Sequence, residues 1–256
     1  FPTRRSSDLK SYKHRSEKEK SYENYLLDND VFNIAMLHTA LEGDNKNYIP
    51  CTLNDLKSVP NIDYWALGHI HKQSIINDTK PIIAFPGIPQ GRDMGEQGVG
   101  GVYFVEVNKK EVVNMEFLPI ATVVYKKVEI IIEDDKNIQN YSDLLLVIND
   151  ELSSLSYEFP EISSGVKSSN VELIDDFKGY IIQLVIRGKT DMHNKITNMT
   201  EDDYKQFLEN INEEISSQKY FIWVDSIIFR TSMVQNFEEL KLQNPIFNDL
   251  EEDRKS

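Results

Sequence analysis

An α+β fold in two parts is what the sequence predicts, and three observations carry the prediction. Up to about residue 120, short apolar runs of strand length end in loops rich in glycine and proline. From about residue 121 glycines thin out, and strand-like runs alternate with two longer segments whose apolar residues recur at steps of three and four. The alternation runs β-α-β-α-β, the order of a small module with two helices on one face of a sheet.

The first nine residues, Phe1 to Leu9, share no periodicity with the rest of the chain and resemble translated adapter sequence, so they are set aside from fold reasoning. Residues 10–30 are polar, rich in Lys, Glu, Ser and Tyr, and suit a surface helix or a linker that closes in the Asp28-Asn29-Asp30 turn. Residues 31–37 are nearly all apolar, which predicts a strand buried on both faces and ending at His38-Thr39. Thr52 is placed to cap a short helix over 53–59, with Asp55 as the reciprocal acid of a capping box. Residues 63–67 form a second buried strand that breaks at Gly68-His69-Ile70-His71, with Tyr64 and Trp65 as core residues. A third strand over 81–85 is closed by the loop Pro86-Gly87-Ile88-Pro89-Gln90-Gly91-Arg92, and residues 98–107 and 111–118 form a hairpin around Asn108-Lys109-Lys110.

The second part is predicted as β-α-β-α-β. A strand over 122–133 leads into a helix that places Ile138, Tyr141, Leu144, Leu145, Ile148, Leu152 and Leu155 on one face. A strand over 179–187, a helix from about Thr200 that buries Tyr204, Phe207, Ile211 and Ile215, and a strand over 221–229 complete the unit. An acidic tail begins at residue 235.

The 256 residues are 40% hydrophobic and 27% charged, an ordinary composition for a water-soluble domain. The longest apolar runs are interrupted by Lys and Glu and fall far short of the roughly 18 residues a membrane helix needs. One cysteine, Cys51, cannot form an intramolecular disulfide, and that points to a reducing, cytoplasmic setting. A net charge of −14 and a pI near 4.8 argue against a free-standing nucleic-acid-binding module, which needs basic side chains to displace counterions. Bound divalent metals or a basic partner subunit would locally reverse that sign.

Chemistry concentrates where strands end. Of the five histidines, His38, His69 and His71 come directly after buried strands, as ligands on a rigid layered scaffold do. Neutral imidazoles suit Mn²⁺, Fe²⁺ or Zn²⁺; the alternative is loop histidines bonded to backbone carbonyls. Arg92 suits bidentate contact with a phosphate, and a salt bridge to Asp93 or Glu96 accounts for it equally well. Asp191-Met192-His193 spells Asp-x-His after a strand, and a solvent-exposed turn is the reading preferred there.

Four ordered segments carry a resemblance: Phe32 through Thr39, Tyr48 through Leu53, Asp63 through Lys72, and Phe85 through Arg92. Together they resemble the later active-site segments of the calcineurin-like metallophosphoesterases, and within that superfamily the SbcD/YhaO-type DNA repair exonuclease subunits. The match is strong over about residues 31–120 and weak beyond. It implies that residues 10–120 are the C-terminal half of a four-layer αββα metallophosphoesterase sandwich, continued over 121–232 by a small β-α-β-α-β capping domain. It also implies two divalent metal ions, manganese foremost, with His38 and His69 on one and His71 on the other. In such a centre, metals about 3.5–4 Å apart clamp the scissile phosphate and activate water. DNA, an SMC-like ATPase subunit of the SbcC kind and a second copy of the chain are the implied partners.

The resemblance is incomplete. The family's earlier Asp-x-His, Gly-Asp-x-x-Asp and Gly-Asn-His-Asp/Glu motifs are absent from this sequence, and Gly43-Asp44 lies in the wrong order and lacks the second acid. Three histidines cannot offset two dications, so the chain by itself is expected to be inactive, with an exposed sheet edge and apolar face. Two other readings stay open: a phosphoesterase for a smaller substrate, and a non-catalytic interaction module.

Overall fold

Strand β1 (Ile34–His38) and strand β2 (Tyr64–Gly68) are joined through helix α1 (Leu53–Ser58), and their parallel pairing is the start of the architecture. In the computed structural model, residues 22, 27–42, 49–132, 138–160, 176–215 and 219–234 are described. The remaining elements are β3 (Ser74–Asn77), β4 (Ile82–Phe85), β5 (Gly101–Asn108), β6 (Glu111–Pro119), β7 (Val123–Ile132), α2 (Tyr141–Leu155), β8 (Gly179–Lys189), α3 (His193–Thr197), α4 (Glu201–Glu214) and β9 (Phe221–Ser232). The described residues form a mixed α/β fold with three sheets, and the chain divides into two units. One comprises residues 1–126 and 159–180, the other residues 127–158 and 181–256.

The first unit is built on a four-stranded sheet of order β1-β2-β4-β3, parallel between β1, β2 and β4 and antiparallel at β3. The antiparallel β3 is an element the sequence pattern does not announce, because Ser74 to Asn77 is too short to show an alternation. One face of the sheet packs Ala35, Leu37, Trp65, Leu67, Ile83 and Phe85 against Leu56 of α1, Cys51, Ile49 and Tyr22. Trp65 is fully buried, as expected, and its indole N–H donates to the Leu56 carbonyl 3.1 Å away, which spares the core an unpaired polar group. The Thr52–Asp55 capping box is present on α1.

The start of the β1–β2 pair is set by a polar clamp. The Asn33 N–H donates to Asp63 Oδ2 at 2.8 Å, the Asp63 N–H donates back to the Asn33 carbonyl at 3.0 Å, and Lys80 pairs with the other oxygen of the same carboxylate. With the pair fixed at one end, Ile34 must face Tyr64 and His38 must face Gly68 at the other.

Strand β1 is not buried on both faces, contrary to expectation. Its residues alternate, with Ile34 50% and Met36 48% exposed. A short unbroken apolar run does not disclose which face is covered. In the hairpin, β5 and β6 pair only with each other among the described residues, and Phe104 and Val113 are exposed.

The second unit holds a three-stranded sheet of order β7-β8-β9. Helix α2 buries Leu144, Ile148, Leu152 and Leu155, and α4 buries Phe207 and Ile211, at the spacing the sequence predicts. Both carry capping boxes, Asn140 with Asp143 and Thr200 with Asp203. The solvent-exposed turn expected at residues 191–193 is a turn at Asp191 and Met192 that leads into the five-residue α3, but Met192 is buried. His193 Nδ1 lies 2.9 Å from Thr231 Oγ1, which gives that histidine a structural partner on β9. The residues resembling adapter sequence, Gly43-Asp44 and the tail from residue 235 lie outside the described residues. No helix among the described residues is long and apolar enough to cross a membrane.

Replacing Trp65 with alanine is expected to destabilise the chain by about 3–5 kcal/mol, because it leaves a cavity and orphans the Leu56 carbonyl. Urea unfolding followed by circular dichroism measures it; a loss under about 1 kcal/mol would show that the β2–α1 packing contributes little.

Candidate metal centre

The parallel register delivers two histidines to one place. His38 ends β1 opposite Gly68, and His69 is the first residue past β2. His38 has the parity of Ile34 and Met36, so its ring lies on the face of the sheet opposite the Trp65 core. There it crosses Gly68: a Cβ on that residue would stand 3.2 Å from His38 Nδ1, a crowded distance. The glycine that leads Gly68-His69-Ile70-His71 therefore clears room for an imidazole that arrives from the neighbouring strand. Thr39 secures the exit of β1, since its fully buried hydroxyl donates to the Ile49 carbonyl at 2.9 Å and its N–H donates to the Gly68 carbonyl at 3.1 Å.

His69 turns out of β2 with φ +107°, a conformation L-residues rarely adopt and one that costs on the order of 1–3 kcal/mol. That turn brings His69 Nδ1 to 3.2 Å from His38 Nε2, with the rings edge to face and centroids 5.1 Å apart. Burial, then the neighbouring charges of His69 and His71, push the His38 pKa below its ordinary 6.5. The neutral ring that results is the form that can donate a lone pair to a cation.

His71 does not join that pair by direct contact. Its Nδ1 sits 2.7 Å from Glu96 Oε1. Glu96 also accepts from the Arg92 backbone N–H at 2.9 Å, from Arg92 Nε at 3.3 Å and from Arg92 Nη2 at 2.8 Å. These bonds, the Arg92 guanidinium first, hold the Glu96 carboxyl down to about 2. Of the two salt bridges the sequence offers Arg92, the one formed is to Glu96; Asp93 accepts from the Gly95 N–H instead. Beside His71 lies a cleft of about 210 Å³ lined by Lys72, Gln73, Ile88, Glu96 and Val99 among others.

The loop after β4 is seated on the histidine segment. Gly87 has φ +77°, and a Cβ there would stand 2.8 Å from the Gln73 nitrogen and 2.9 Å from the His71 carbonyl oxygen. Gln90, in the same motif as Arg92, is structural: its amide donates to the Val123 carbonyl and its oxygen accepts from the Thr122 N–H. In the sequence Glu96 stands out only as a partner for Arg92. Its bond to His71 spans 25 residues, and no local pattern announces it.

The donor set can be tested against a divalent cation on geometry. Two ring nitrogens bound to one ion at about 2.1 Å, with an angle between about 90° and 109°, stand about 3.0–3.4 Å apart. The His38–His69 separation of 3.2 Å fits. Among the described residues no group of three or more His, Cys, Asp or Glu converges on one ion position, so these two supply part of a coordination sphere and not the whole.

No family model matches the chain. Over 246 residues, 95% of its length, it is 28% identical to the uncharacterized metallophosphoesterase YhaO of Bacillus subtilis (strain 168). The chain spans about half that relative's length, 53%. The chain is thus similar to a protein described as a metallophosphoesterase.

Two outcomes are expected from the geometry. His69→Gly should be more stable than His69→Ala by about 1 kcal/mol, because glycine accepts a positive φ without strain; equal stabilities in urea unfolding would show that the turn stores none. In the metal-free chain the His38 ring should titrate below 6.5 by NMR and move up towards it in His69→Ala. The unfolded chain takes up this proton first, so folding stability falls as pH drops through 6.5 towards the lowered His38 value.

Proposed function

We propose that this chain carries the histidine side of a two-metal phosphodiesterase centre that hydrolyses DNA. The carrying observation is the His38–His69 nitrogen pair at 3.2 Å, placed by a parallel strand pair on a rigid sheet. In this reading His38 and His69 share one divalent cation, manganese foremost, and His71 serves the second. Such ions lower the pKa of water and stabilise a leaving oxygen.

The chain's own residues supply position. Gly68 makes space for His38, the strained turn aims His69, and Glu96 orients His71. Arg92 is 72% exposed, and Nε and Nη2 bind Glu96, so Nη1 is the nitrogen placed for a phosphate oxygen. The described residues bring no bridging carboxylate to the histidines. In the proposed reading the chain by itself therefore turns over little, and the carboxylate ligands come from the half of the relative's length that it does not span. The β7-α2-β8-α3-α4-β9 region would shape the DNA channel, and an SMC-like ATPase subunit would be the partner.

The small cleft beside His71 favours a second reading, a phosphoesterase for a cyclic nucleotide or phosphomonoester. Its volume, about 210 Å³, suits a small leaving group better than a duplex.

The test joins the part of the Bacillus relative that this chain does not cover to the chain itself. With Mn²⁺ the chimera is expected to cleave double-stranded DNA, and His69→Ala should reduce the rate by at least about 100-fold, while the chain alone stays near background. Hydrolysis of a chromogenic diester without DNA cleavage would favour the second reading. Mn²⁺-dependent turnover by the chain alone would overturn the shared-ligand reading.

A further inference from the structure

We propose that Glu96 is a positioning residue for the centre, which selects the Nδ1–H tautomer of His71 and so presents the bare Nε2 as the metal-facing donor. This rests on the metal-centre reading above and adds a residue that none of the four resembling segments contains.

The partners of Glu96 decide the tautomer. Glu96 Oε1 lies 2.7 Å from His71 Nδ1 and is also 2.8 Å from Arg92 Nη2, while Oε2 accepts from the Arg92 backbone N–H and Nε. An ionised carboxylate can only accept, so the imidazole nitrogen facing it must carry the proton. A neutral imidazole has one N–H, and fixing it at Nδ1 leaves the lone pair on Nε2. A carboxylate behind a ligating histidine fixes ring orientation and raises its basicity.

The geometry around Glu96 makes this more than a surface ion pair. Its side chain is only 9% exposed, whereas His71 is 49% and Arg92 72% exposed, so the acceptor is the anchored member and the two donors reach out from it. The Asp93–Glu96 turn holds the acid in place through a Glu96 N–H bond to the Asp93 carbonyl at 3.0 Å. The Gly87 contact presses the backbone of His71 and Gln73 against the loop that leads to Glu96. One carboxylate thus sets a histidine and an arginine that lie 21 residues apart in sequence. The competing role is a staple that closes the loop through Arg92 and leaves His71 indifferent.

The experiment uses the chain labelled with ¹⁵N-histidine at pH 8, where the two neutral tautomers give opposite ring-nitrogen shifts, and then titrates Mn²⁺ and follows paramagnetic broadening. In the unmodified chain His71 is expected as the Nδ1–H form. Glu96→Ala should shift it towards the Nε2–H form and raise the Mn²⁺ needed to broaden His71 about 10–100-fold, with His38 and His69 changed little. Arg92→Ala should leave the His71 tautomer as it was, whereas a loop staple predicts that Arg92→Ala and Glu96→Ala behave alike. If Glu96→Ala does not fold, Glu96→Gln takes its place, with weaker Mn²⁺ broadening of His71 expected. An Nε2–H His71 in the unmodified chain, or broadening indifferent to Glu96, overturns the proposal. Failure of the metal-centre reading shows separately, as absence of Mn²⁺ broadening at His38 and His69 when the chimera that supplies the remaining ligands is titrated, whatever the His71 tautomer.

Discussion

Everything at the candidate centre depends on the parallel pairing of β1 with β2. Parallel strands end on the same side of a sheet, so a residue that closes one and a residue just past the other meet without any loop having to reach. His38 and His69, 31 positions apart, come within 3.2 Å because the pairing sets their strand ends side by side and the turn at His69 then aims its ring. The register is set at the far end, where Asn33 and Asp63 exchange backbone and side-chain bonds and Lys80 neutralises the carboxylate. A slip by one residue would turn His38 into the Trp65 core and put Leu37 where the imidazole now lies.

The layers on either side of this sheet serve different ends. The Trp65 face is closed by a buried apolar core, with α1 capped at Thr52 and the Trp65 indole donor satisfied. The His38 face keeps Ile34 and Met36 half-exposed and carries the strained turn at His69. The buried core is concentrated on one face, and the other carries the candidate ligands and the strained turn. The second unit needs no such compromise: its helices bury regular apolar stripes, and its one Asp-x-His lies where His193 bonds to Thr231.

Electrostatically the centre is built from imidazoles with one anion held to the side. Burial and neighbouring histidines keep His38 neutral, and Glu96 is committed to Arg92 and His71. An acidic chain of net charge −14 thus presents here a patch of neutral and cationic donors.

The sequence alone determined what is local: the strand-then-histidine junctions, the capped helix at Thr52, the apolar stripes of α2 and α4, and Trp65 as core. These come from periodicity, capping chemistry and backbone sterics, which act over a few residues. Only the tertiary structure decided which histidines meet, that β1 buries one face instead of two, that β3 joins the sheet as an antiparallel neighbour of β4, and that Glu96 gathers His71 and Arg92. Those depend on strand register and on loops brought together across 20 to 30 residues. No spacing in one sequence encodes a contact whose partners are chosen by the packing of the elements between them.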